Sequence, residues 1–318
     1  MNKKRKIKLV KKLYALFKKA KIPKYLHHYG PKTYTTWEHL FIVIAQQKFK
    51  SGMQEVLNTL HDFGFTHLPD RTTLVKFLKR IPIELWNLAL SISAQIKKSG
   101  LGAIDATGIS RTVASDYYKE RIDRDNPIKD HLKLSLYVDS KNRKILSARL
   151  RAKQAHDTKD VRYLVKKSPV VSEINIMDKG YDDNKIHSFF RERGVYSIIP
   201  VRKNARRGRY RREMRDSFDY GLYFQRNAVE FIISSIKRRY GDYVRSKKIY
   251  GQRAEIYSRL ILHNLQSLLL LETFTRALTN QNFKYTKSNK LIGKNGKSWL
   301  YSLLALFLLV INIFLIYL

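Results

Sequence analysis

Cysteine is absent from this chain of 318 residues, which excludes disulfides and any zinc site built on thiolates, and fits a reducing compartment. Metal chemistry would have to rest on Asp, Glu and His. With 7 prolines and 14 glycines, the chain is neither collagen-like nor a low-complexity linker. Acidic residues are also scarce: 26 Asp and Glu face 63 Lys and Arg, a formal charge of +37. Self-repulsion on that scale calls for a polyanion, of which nucleic acid is the natural one and an anionic membrane surface the alternative. A hydrophobic content of 44% is enough for a buried core, and the length suits about two domains.

Neither end reads as an export signal. Lys11 and Lys12 interrupt the basic start before an apolar core develops. Ser298 to Leu318 is a run of 21 residues without a charge, preceded by Lys290, Lys294 and Lys297, and is long enough to span a bilayer. The expectation is nevertheless a cytoplasmic, nucleoid-associated protein whose tail is dispensable for folding and is not a membrane anchor.

Along the chain three regions are expected: a helical N-terminal domain over 1–98, an α/β catalytic domain over 99–282, and a basic linker with a hydrophobic tail over 283–318. Apolar spacings such as Leu40, Val43, Ile44 and Leu74, Phe77, Leu78 mark the helices. Asp70 is the expected N-cap of a helix from Arg71, and a helix over Glu55 to Leu60 is its candidate partner in DNA binding. The stretch from Asp62 to Pro69 is long for a helix-turn-helix. From Gly100 strand patterns take over: Leu101 to Asp105, Leu132 to Val138, Ile145 to Arg151, Ile174 to Met177 and Tyr196 to Pro200. Helices are expected from the cap Asp157 to Lys167, over Asn184 to Arg193, and from about Tyr220 to Tyr240, where Gly241 stops the last. The order β-β-β-α-β-α-β, with a long helix to close it, is that of a ribonuclease H-like fold: a mixed five-stranded sheet with flanking helices.

Asp105 and Asp178 each end an expected strand, and adjacent strands would place them side by side. Two carboxylates about 5 Å apart repel by roughly 3 kcal/mol at an effective dielectric near 20, so the pair needs a cation or a raised pKa. Oxygen ligands favour Mg²⁺ or Mn²⁺. Downstream, Tyr223, Arg226, Glu230 and Lys237 fall within roughly 60° of one another on a helix turning about 100° per residue.

These residues match a known signature. Tyr223, Arg226, Glu230 and Lys237 resemble, with spacing intact, the Y-x2-R-x3-E-x6-K signature of DDE transposases from bacterial and archaeal insertion sequences, families four and five. Asp105-Ala106-Thr107-Gly108 and Asp178-Lys179-Gly180-Tyr181 are similar to the first and second acidic motifs of that group. The resemblance covers about residues 35 to 270. It implies a triad of Asp105, Asp178 and Glu230 holding two divalent ions, with DNA contacts from Tyr223, Arg226 and Lys237. It also implies cleavage and strand transfer at element ends, on double-stranded terminal repeats and target DNA, by a homodimer. Two features depart from the group. Only 51 residues lie between Asp178 and Glu230, which leaves no room for the large β-rich insertion of some members, and the hydrophobic tail is foreign to it.

Between the fifth strand and the signature helix, Arg202 to Arg215 carries eight Lys or Arg in fourteen positions. That composition suits a loop gripping phosphates, with Arg206, Arg207, Arg211 and Arg212 as its candidates. Lys3 to Lys24, with eleven basic residues, is a second candidate DNA arm. His156-Asp157 reads as a helix cap, with a metal or active-site role as the alternative, and His263-Asn264 as packing. The competing functions are an inactive element product that binds DNA, a ribonuclease H-like nuclease without strand transfer, and a membrane-anchored basic protein.

Overall fold

The computed structural model describes residues 3–266 apart from 28, 30, 31, 63, 112–130, 154 and 206. The described residues belong to one compact unit, and 267–318 lie outside the described residues, as does everything expected of the tail. Among the described residues no helix is long and apolar enough to cross a membrane.

Five helices come first: α1 (Lys3–Lys19), α2 (Thr36–Phe49), α3 (Met53–Asp62), α4 (Arg71–Arg80) and α5 (Ile83–Ala94). A reciprocal capping box starts α2, with Thr35 Oγ1 accepting the Glu38 N–H and the Glu38 carboxylate accepting the Thr35 N–H. Asp70 stands at the N-cap position of α4 in an extended conformation, but its side chain makes no capping bond.

The sheet follows: β1 (Leu101–Ser110), β2 (His131–Asp139) and β3 (Lys144–Arg151), then α6 (Thr158–Lys167), β4 (Ile174–Met177), α7 (Asn184–Arg191) and β5 (Tyr196–Ile198). Its order is β3-β2-β1-β4-β5, with β1 to β3 antiparallel and β1, β4 and β5 parallel. This mixed five-stranded sheet with flanking helices is the ribonuclease H-like α/β arrangement. Strand period puts Ile104, Tyr137 and Met177 on one face, where Val161 and Leu164 of α6 and Ile186 and Phe190 of α7 bury them. Gly102 is needed where β1 meets the loop before β4: a Cβ there would stand 2.3 Å from Ser172 Oγ and 2.6 Å from the Tyr137 ring.

Beyond β5 come α8 (Arg209–Asp216), α9 (Tyr220–Tyr223), a 3₁₀ turn (Phe224–Arg226) and α10 (Asn227–Tyr240). The helix expected over Tyr220 to Tyr240 thus tightens at Phe224–Arg226 before running on. It ends where Gly241, at φ +89°, gives its N–H to the Lys237 carbonyl at 2.8 Å. The closing helix, α11 (residues 249–266), covers the sheet edge. Asn264 accepts the Ile145 N–H and donates to the Ile145 carbonyl, both at 2.9 Å, and Tyr257 donates to Ala148 O at 2.9 Å. The exposed ladder of β3 is thereby closed to edge pairing. Arg259, also on α11, is buried and reaches Gln47 of α2, Glu255, and the carbonyls of Gly241 and Tyr243, tying the end of α10 to the helical layer.

Candidate active site

In the parallel register of β1 and β4, Ile104 stands opposite Met177, so Asp105 and Asp178 are the next residues at the same level. Asp105 is not at a strand end as its sequence suggested. β1 runs on to Ser110 because β2 pairs with it as far as His131, while β4 stops at Met177. Alternation turns Asp105 to the face opposite Ile104, away from α6 and α7. Asp178 precedes a 3₁₀ turn over Lys179–Tyr181, yet its carboxylate does not cap it and meets the Tyr223 phenol instead.

The third acid arrives on α10, which packs on β1 and β2 through buried Val229, Ile232 and Ile236. The 3₁₀ turn before it touches β1 and β4, bringing Arg226 between the acids. Arg226 Nη1 lies 3.3 Å from Asp105 Oδ2, and Nη2 lies 2.6 Å from Glu230 Oε1. Burial is the main reason the Asp105 carboxyl is pushed above its usual range; Glu230 and Asp178 push the same way, while the Ala106 N–H at 2.8 Å and Arg226 oppose them. The Tyr223 phenol is raised chiefly by burial and stands beside Asp178, with the Arg226 guanidinium 5.9 Å from its ring centroid. Asp105, Asp178, Tyr223, Arg226 and Glu230 are therefore brought together. Lys237 is not: it is two turns further along α10, about 10 Å from Glu230 along the axis.

A fourth carboxylate, expected first as a helix cap, stands beside these acids. Asp157 precedes α6 but does not cap it; its Oδ1 is 2.5 Å from the buried Lys133 ammonium, which also donates to Ala155 O. A Cβ built on Gly180 would stand 3.5 Å from Asp157 Oδ2 and 4.0 Å from Asp178 Oδ2, so both acids face the same glycine. Tyr181 is buried beneath them, its hydroxyl without a partner among the described residues and its pKa raised by burial, then by Asp157, Asp105, Asp160 and Asp178. The only hint in the sequence was the His156-Asp157 pair. Lys133, 24 positions upstream, carries no local signal at all.

The basic stretch is not a loop throughout, since Arg209–Asp216 is helix α8, and its arginines divide. Arg202 donates from Nε to Lys179 O at 3.0 Å and from Nη2 to Gly180 O at 2.5 Å, bracing the turn after Asp178. Arg211 Nε is 2.8 Å from Oδ1 of buried Asp182. Arg207 and Arg212 are exposed, and Arg206 lies outside the described residues. His263 is buried and donates from Nε2 to Arg143 O at 3.2 Å, and burial takes its pKa down to about 4. Its role is packing, as expected.

Residues 96–265 match the family described as the transposase DDE domain. Among solved structures the chain is similar to one described as the cryo-EM structure of the piggyBac transposase synaptic complex with hairpin DNA, at 12% identity and a TM-score of 0.40, covering 91% of this chain and 80% of that one. No curated protein matches. The family match takes in both aspartates, the signature helix and more than half of the 318 residues, and the chain accordingly belongs to the transposase DDE domain family and is a DDE transposase.

Proposed function

We propose that this transposase cuts DNA at the ends of an insertion sequence of the family four and five group and joins those ends to target DNA. The observation that supports this most is the meeting of Asp105, Asp178 and Glu230 across β1, β4 and α10, with one guanidinium bridging two of them. DDE transposases generally use divalent metal ions. Among the described residues no group of His, Asp or Glu is already drawn together tightly enough to hold one, and Arg226 supplies the positive charge instead. The donor set nevertheless fits a hard cation. It offers only carboxylate oxygens, with Asp105 and Asp178 at the same level on adjacent parallel strands.

Asp105, Asp178 and Glu230 would hold two Mg²⁺ or Mn²⁺ ions. Bound there, the ions supply an activated water or 3′-hydroxyl and charge relief for the leaving oxygen of an in-line displacement. Arg226 is placed to trade its carboxylates for DNA phosphates, which the planar guanidinium grips in the same bidentate way. Tyr223 lies against the same strand, and Lys237 holds phosphates further along. Asp157, neutralised by Lys133, would shape the floor without adding net charge.

The wider reading keeps a helical domain over 1–98 that engages DNA, a catalytic domain over 99–282 and a basic linker and tail over 283–318. Arg206, Arg207 and Arg212 form its proposed phosphate grip, with the fourth expected member, Arg211, assigned to the fold through its pair with Asp182; the working form is a homodimer on double-stranded DNA, and the setting is the cytoplasmic nucleoid. Incubating purified protein and Mg²⁺ with pre-cleaved element ends and a target plasmid is the test. Joined products support strand transfer, whereas no joining by protein that still cuts an uncut end-containing duplex would leave a nuclease.

A further inference from the structure

Away from the carboxylates, the helical layer contains a cavity of about 580 Å³ between α4 and the segment that leads into α2. Ligand pockets run from roughly 300 to 1,000 Å³, so the space suits a small aromatic group with its attachments. Tyr25, Tyr34, His39 and Phe77 give it aromatic walls, and Lys76 and Arg80 stand on its rim. Those two cations are four residues apart on one face of α4, both are exposed, and no Asp or Glu among the described residues lines the cavity.

Its walls are fixed. The Trp37 indole donates to Ile22 O at 2.9 Å, the Thr36 N–H donates to Lys24 O at 2.8 Å, and His39 stacks on Phe77 with ring centroids 4.4 Å apart. Two polar groups are left over. Thr36 is 2% exposed, yet its hydroxyl has no partner among the described residues. His39 Nδ1 meets Thr35 O at 2.7 Å, so the proton sits on Nδ1 and Nε2 remains an acceptor. An orphaned buried hydroxyl is costly for a fold to retain, and a ligand group would satisfy it.

We infer that this cavity takes one unpaired nucleotide of a DNA strand, the base stacked against Tyr25 and Tyr34, its edge read by Thr36 Oγ1 and His39 Nε2, and the flanking phosphates held by Lys76 and Arg80. Aromatic faces beside unmatched cations are the means by which proteins hold unstacked bases. The inference rests on the DNA-processing reading. It adds a site for a base outside the duplex, in a part of the molecule separate from the acids.

The test uses the full chain, a duplex carrying a single unpaired 2-aminopurine nucleotide, the same duplex fully paired, and free 2-aminopurine deoxynucleoside monophosphate. Binding is followed by anisotropy at one salt concentration, and stacking by quenching of the 2-aminopurine. The unpaired site should bind about 10-fold tighter than the paired duplex, with quenching. Thr36→Val and Tyr34→Leu should remove that advantage and leave paired-duplex affinity unchanged. Thr36→Val, which deletes an unpartnered hydroxyl, should keep or raise the melting temperature, so a folding defect cannot imitate the result. Equal affinity for both duplexes would overturn the inference while leaving the transposase reading intact. Binding of neither duplex would overturn both. Quenching of the free nucleotide without any preference for the unpaired duplex would overturn the assignment to a DNA strand.

Discussion

At the carboxylate end of the sheet three cations have acids: Arg226 has Asp105 and Glu230, Lys133 has Asp157, and Arg151 has Asp160. On the outer faces of α4 and α8 and on the approach to α8 the same residue types, Lys76, Arg80, Arg207 and Arg212, are exposed and form no ion pair among the described residues. Composition makes the two regions look alike, since both read as basic. Partnering separates them. A matched cation belongs to the fold or to the chemistry, and an unmatched one, kept at the expense of self-repulsion, is free to bind a polyanion.

The strongest way to break the matched region is to remove its acids. Asp105→Asn, Asp178→Asn and Glu230→Gln should each lower Mg²⁺-dependent cleavage of an end-containing duplex by more than roughly 10³-fold, about 4 kcal/mol of barrier. Gel-shift affinity should hold or rise, because each change removes negative charge beside a phosphate track. Any of the three that cleaves at the wild-type rate does not belong to the triad.

Arg211 tests whether partnering or composition decides an arginine's role. Asp182 is 4% exposed, and Arg211 is its cationic partner. Removing one member of a buried pair leaves an uncompensated charge, so Arg211→Ala should cost about 3 kcal/mol in urea unfolding. Its salt dependence of DNA binding should stay close to wild type. Unchanged stability together with a flattened salt dependence would move Arg211 to the unmatched group.

Acid should break the matched region as well. His187, whose Nδ1 sits 2.8 Å from Ser197 Oγ, and His263 are both taken down to about 4, first by burial, against an ordinary value of 6.5. In the window from 6.5 to 4 the unfolded chain binds protons that the folded chain refuses. Stability is therefore fully present above 6.5 and lost as pH falls towards 4, by up to roughly 3 kcal/mol per histidine. His187→Leu should flatten the unfolding midpoint against pH across that window. An unaltered slope would mean that the ring is protonated in the fold.

Much of this arrangement was legible because it rests on local pattern. Ile174–Met177, three apolar residues around Asn175 between Glu173 and Asp178, forms β4 with those ends. The signature spacing on α10 needed only the turn of a helix. What depends on distant partners was not legible. β1 extends to Ser110 because β2 is there to pair with it, although Thr107 and Gly108 look like a turn. Asp70 and Asp157 have the right type and position for caps, but Asp157 is drawn off by Lys133, whose approach only the folded sheet creates. Arg202, Arg207 and Arg211 are equivalent as letters and become different once Gly180, Asp182 and solvent are assigned among them.

The smallest effect concerns the unmatched cations of α8 and its approach. Arg207 and Arg212 are exposed and form no ion pair among the described residues, so Arg207→Gln with Arg212→Gln should leave urea unfolding unchanged within about 0.5 kcal/mol. Each phosphate neutralised contributes roughly −0.9 to the slope of log affinity against log salt, so the double variant should flatten that slope by about 2. The loss should be uniform across DNA sequences, because phosphate contacts carry no base information. Fluorescence anisotropy across a salt series, run beside Arg211→Ala, sets the two kinds of arginine against each other in one assay. If the slope of the double variant matches wild type, the α8 face is merely solvated, and the division between matched and unmatched cations fails to identify where this protein holds DNA.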